Sequence, residues 1–142
     1  MAKIKEIFNK GMRRLSQNFS FKTEGQESIE TPLNQTIIFI LKYKDLVIGE
    51  LTLNKGIWTF VYSDAFKTQS DIEPLPDFPD IDKVYTKEDE LYPFFLIRIP
   101  SLKQPSVQEI IKKNKIDANN EVELLKTFGY KSIANPFVLT PA

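Results

Sequence analysis

Apolar residues recur along this chain with a period that changes from segment to segment. Over residues 3–15, Ile4, Ile7, Phe8, Met12 and Leu15 return at near-helical spacing, and Lys3, Lys5, Lys10, Arg13 and Arg14 lie mostly elsewhere around the turn. That pattern predicts a basic amphipathic helix over residues 1–17, about three turns long and marginal alone in water. Residues 18–34, polar and interrupted by Gly25 and Pro32, hold no sustained period and read as a linker. The domain proper is expected over residues 35–142.

Residues 36–43 are apolar and rich in β-branched side chains, and Lys44-Asp45 turns the chain into a second such run, 46–53. Asn54-Lys55-Gly56 leads to a third, 57–62. Short turns between runs of this kind predict an antiparallel meander. A period of two puts Trp58, Phe60 and Tyr62 on one face of the third strand and Ile57, Thr59 and Val61 on the other. Residues 68–86 read as loop, because Pro74, Pro76 and Pro79 deny the backbone donors that a sheet interior needs.

Thr86-Lys87-Glu88-Asp89 has the look of a helix cap. Next comes a strongly apolar element, residues 91–100, in which Pro93 can open a short helix and Pro100 cannot continue it. Its Phe94, Phe95, Leu96, Ile97 and Ile99 read as core. Val107, Ile110 and Ile111 share one helical face, and Asn120 with Glu123 resembles a capping pair for a helix over 121–128, ended by Gly129. A last strand is expected near residues 137–139. The fold class is therefore α+β: a three-strand antiparallel meander plus a C-terminal strand, packed with two to three short helices.

Composition narrows the chemistry. At 142 residues, 42% hydrophobic and 12% aromatic, the chain is long and apolar enough for one domain with a real core. It has no cysteine and no histidine, so disulfides, thiol nucleophiles, the commonest general base and two of the usual zinc ligands are excluded. Its five glycines are dispersed, and none forms a phosphate-cradling loop. No catalytic constellation, metal set or cofactor site is expected. The longest apolar run, 36–41, is far too short to span a bilayer, no signal-peptide pattern is visible, and a cytoplasmic protein is expected.

Charge is zero overall but unevenly placed. Residues 1–22 hold Lys3, Lys5, Lys10, Arg13, Arg14 and Lys22 against Glu6, a net of +5 that leaves −5 on the remainder. The acids concentrate in residues 71–90, read as a solvated or partner-facing patch. The aromatic stripe of the third strand is either an ordinary core face or a half-exposed docking surface. The basic arm either packs on its own domain or meets a membrane, a nucleic acid or a partner's groove.

In their order, these elements resemble the N-terminal subdomain of HipA-type toxin kinases, which also occurs alone as the small HipS antitoxin of three-component systems. The likeness spans roughly residues 36–140 and rests on Gly49-Glu50-Leu51, on Trp58-Thr59-Phe60-Val61-Tyr62, on Leu91 to Pro100 with its Pro-Phe-Phe, and on Leu124-Leu125-Lys126-Thr127-Phe128-Gly129 followed by 131–139. Departures are Pro100-Ser101-Leu102 where the family has Pro-Glu-Gly, and Lys131-Ser132-Ile133-Ala134-Asn135 where it has Asp-x-x-Gly-Ala. The resemblance implies a non-enzymatic antitoxin-like subunit that binds a separately encoded HipA-like (HipT-like) Ser/Thr kinase and occludes its active-site region. A HipB-like DNA-binding protein is the further member such a complex would hold, with no direct nucleic-acid contact expected from this chain. The implied partner-binding residues are Trp58 as anchor, with Phe60, Tyr62 and Phe66 in support. The alternative is a peripheral membrane- or nucleic-acid-associated scaffold acting through the basic helix.

Overall fold

The computed structural model describes residues 22 and 24–142. The amphipathic helix expected over residues 1–17 lies outside the described residues. The described chain forms a five-stranded antiparallel sheet in the order β4-β3-β2-β1-β5. Its strands are β1 (Ile37–Tyr43), β2 (Leu46–Asn54), β3 (Ile57–Tyr62), β4 (Tyr85–Glu88) and β5 (Val138–Pro141). Four short helices accompany it: α1 (Asp64–Lys67), α2 (Pro93–Leu96), α3 (Pro105–Lys113) and α4 (Glu121–Phe128). The class is the α+β arrangement that the apolar pattern predicts.

The meander forms for local reasons. Between β2 and β3, Lys55 (φ 50°) and Gly56 (φ 77°) both adopt left-handed backbone, as the twist of a tight hairpin requires. Register then pairs Leu53 with Trp58, Leu51 with Phe60 and Gly49 with Tyr62. A Cβ on Gly49 would sit 2.5 Å from the Val61 carbonyl oxygen and 2.8 Å from the Phe60 ring, so only glycine fits beneath that aromatic. This is the physical content of the Gly-Glu-Leu motif.

One sheet face carries the core. Phe39 and Leu41 of β1, Leu51 and Leu53 of β2, and Trp58, Phe60 and Tyr62 of β3 join Phe95 and Leu96 of α2 and Val122, Leu124 and Leu125 of α4 in one buried cluster. Pro93 opens α2 with Tyr92 at its N-cap, and the turn brings Phe95 to 5.7 Å from Phe60, ring centre to ring centre. Asn120 caps α4 as its spacing predicts, accepting from the backbone N–H of Val122 and Glu123.

Some elements differ from the sequence expectation. Thr86-Lys87-Glu88 does not cap a helix; it lies in β4, paired to β3 with Thr86 opposite Thr59. Asp89 (φ 66°) then turns the chain toward α2. The Pro-rich stretch is not simply solvated, because Leu75 and Phe78 are buried and Phe78 stacks on Phe60 at 4.3 Å. Proline keeps that stretch out of the sheet while its apolar side chains still seek the core. The short helix α1 follows from Ser63, whose hydroxyl accepts from the Phe66 N–H.

The described part of the segment read as a linker packs onto the domain. Ile29 is fully buried, and Gln26 is buried with its Nε2 donating to the Ile99 carbonyl. Glu30 N–H donates to Asn119 O at 2.7 Å, and Glu121 N–H donates back to Glu30 O at 3.0 Å. A single apolar residue among polar ones carries no period, so burial of this kind leaves no sequence signal.

Candidate partner-binding surface

Trp58, Phe60, Tyr62 and Phe66 come together as the sequence predicts, but inside the molecule. All four are buried, at 0%, 0%, 2% and 2% exposure. They form one aromatic group: Phe60 meets Tyr62 edge-on at 5.1 Å, and Tyr62 stacks on Phe66 at 4.6 Å. In this fold they are core side chains, and none of the four is presented at the surface as the expected anchor role would have it. Period-two alternation separates two faces but does not say which one the helices cover. Here α2, α4 and the Pro-rich loop cover the aromatic face, the one with more area to bury.

The polar atoms of this group are satisfied within the fold. Tyr62 Oη donates to Phe78 O at 2.6 Å and accepts from Leu75 N–H at 2.8 Å, pinning the Pro-rich loop. Burial pushes the Tyr62 phenol up to about 12. Tyr92 Oη donates to Trp58 O at 3.1 Å and is likewise pushed up by burial.

Glu121, at the start of α4, is fully buried. Its Oε1 accepts from Thr31 Oγ1 at 2.6 Å and from Trp58 Nε1 at 2.8 Å, and its Oε2 accepts from Leu91 N–H at 3.3 Å. Burial raises its pKa, opposed by those donors and by the Lys22 ammonium. The carboxylate ties the N-terminal segment, β3, the approach to α2 and α4 to one point. Its partners are backbone, hydroxyl and indole donors, which suits a structural hub.

The opposite sheet face is where the structure exposes apolar area. Ile38 pairs with Thr52, and Thr52 with Thr59; Ile40 pairs with Glu50, and Glu50 with Val61. Ile38 and Ile57 are 41% and 37% exposed, while Ile40, Thr59 and Val61 are half-buried. A solvated antiparallel face ordinarily alternates to polar side chains. Here it alternates to Ile, Val and Thr, with Glu50 between two aliphatic residues. Sequence reasoning placed Ile57, Thr59 and Val61 together on this face but did not weigh them as a binding surface; their aliphatic character was the available signal.

Around the acidic stretch, Phe66, Gln69, Ser70, Ile72, Glu73, Pro74 and Ile81 line a shallow hollow of about 180 Å³. Small-molecule sites commonly enclose about 300–1,000 Å³. Among the described residues no group of three or more Asp or Glu side chains is placed to hold a metal ion. No described helix is long and apolar enough to cross a membrane. No protein-family model matches the chain, and no curated protein matches its sequence.

Proposed function

We propose that this chain is a non-enzymatic binding subunit that restrains a separately encoded HipA-like Ser/Thr kinase in the cytoplasm by covering its active-site region. The observation that carries the reading is the outer sheet face, a platform of Ile38, Ile40, Ile57 and Val61 with Thr52 and Thr59 among them and the charge of Glu50 between Ile40 and Val61. Aliphatic and β-branched side chains lose little rotamer freedom when a flat surface docks on them. The kind of partner comes from the order and spacing of the motifs described above. Trp58 serves this function indirectly, by holding the sheet that presents the platform. The acidic residues 71–90 steer the subunit toward a basic kinase surface, an effect that salt screens.

The test is co-expression with the kinase in a growth assay. Wild type restores growth, and the double variant Ile38→Glu/Ile57→Glu loses neutralisation while keeping its urea midpoint. Neutralisation by that variant equal to wild type overturns the platform assignment.

A further inference from the structure

Arg98 follows α2 and is buried, at 4% exposure, yet among the described residues its guanidinium donates only to neutral oxygens. Its Nη1 donates to Gly129 O at 2.9 Å and to Tyr130 O at 3.4 Å. Its Nη2 donates to Asn135 Oδ1 and to Phe137 O, both at 2.9 Å. These acceptors bracket a single loop, residues 129–137, which joins α4 to β5. A guanidinium is a planar, rigid fork, so it fixes the two ends of the loop relative to each other.

Further bonds stiffen the loop. Leu139 N–H donates to Tyr130 O at 3.0 Å, Phe137 N–H to Asn135 Oδ1 at 3.2 Å, and Ala134 N–H to Ser132 Oγ at 3.1 Å. At its apex stands Ile133, 110% exposed, more open than in an extended reference chain. Tyr130 on the same loop and Ile97 beside Arg98 are also more than half exposed. One exposed apolar side chain is ordinary. An isoleucine held at full exposure by a buried cation is a different matter, because burying that cation is costly and a solvent-facing turn does not require it.

We propose that loop 129–137 is a preformed docking finger whose Ile133 side chain enters an apolar pocket on the kinase partner, with Arg98 as the positioning residue. The inference rests on the kinase reading above and adds a contact separate from the sheet platform. Because the loop is ordered before contact, little conformational entropy is lost on binding, and one apolar anchor can then dominate the local affinity. Lys126 and Lys131 are exposed near the finger, and Lys131 lies over the Tyr130 ring at 5.9 Å. The matching pocket is therefore apolar at its floor and carries carboxylates at its rim.

The experiment is calorimetric titration of the full chain against the purified kinase. Wild type binds, and Ile133→Asp weakens binding at least tenfold without moving the urea midpoint. Arg98→Lys, which cannot span both ends of the loop, weakens binding in the wild-type background but adds nothing in the Ile133→Asp background. If wild type binds and Ile133→Asp binds equally well, the finger is wrong and the kinase reading stands. An Arg98→Lys effect of equal size in both backgrounds overturns the positioning role. If wild type does not bind the kinase, the kinase reading fails and the finger falls with it.

Discussion

The indole N–H of Trp58 donates to the Glu121 carboxylate at 2.8 Å, joining β3 to α4 across 63 residues of chain. Both groups are fully buried. The bond turns the most conspicuous aromatic of the sequence into an internal strut, and it makes a carboxylate in the core answerable to pH.

Burial raises the Glu121 pKa above the ordinary 4.5. The native state therefore binds the proton more tightly than the unfolded state does. The stability contributed by the neutral carboxyl is fully present below pH 4.5 and is lost as pH rises through the folded value. Urea midpoints measured between about pH 4 and 8 for wild type and Glu121→Gln check this. The stability of wild type relative to the variant declines with rising pH; a constant difference contradicts the assignment.

Trp58→Ala removes a fully buried indole and is expected to cost about 3–5 kcal/mol. Trp58→Phe keeps most of the ring but strips Glu121 of a donor, for about 1–3 kcal/mol. The chain has one tryptophan, so its fluorescence reports the core directly: blue-shifted when folded, red-shifted on unfolding. Neutralisation lost by Trp58→Ala should therefore track the fraction unfolded, whereas an undiminished urea midpoint with lost neutralisation would return Trp58 to the surface role.

Tyr62→Phe deletes a hydroxyl that serves both Phe78 O and Leu75 N–H. Leaving those two groups unpaired is expected to cost about 1–3 kcal/mol. The loss should be local, read as faster hydrogen exchange at Leu75 and Phe78 with β1 and β2 unchanged. Uniform acceleration across the sheet would show that the loop and the sheet open as one unit.

Much of the fold was legible because it is local. Lys44-Asp45 and Lys55-Gly56 mark the hairpin turns, Asn120 marks the α4 cap, and Pro93 marks the start of α2. What stayed hidden depends on contacts between distant residues. Trp58, Phe60 and Tyr62 were correctly grouped on one face, but the side from which α2 and α4 would approach is not written in β3. The segment 83–88 is short and flanked by acids and prolines, so β4 is set by pairing with β3 rather than by its own propensity. Nothing in the local pattern marks Glu121 and Arg98 as buried charges, a placement charged residues seldom take. Their burial follows from oxygen and nitrogen partners as far away as Thr31 and Phe137, which no local pattern reveals.

The sheet order sets the most C-terminal strand beside the first, with β5 paired to β1. The hairpins of β1, β2 and β3 close short loops and can assemble as soon as they leave the ribosome. At that moment their aromatic face has no cover, and the Trp58 indole has no acceptor until Glu121 has been synthesised. Nascent chains stalled before α4 already carry the Pro-rich loop and α2 that pack on Phe60 and Tyr62, but they leave the Trp58 indole unpaired and lack the part of the core that Val122, Leu124 and Leu125 complete, a surface open to chaperones and proteases. Protease resistance is therefore expected to appear only in chains long enough to hold Glu121 and the rest of α4.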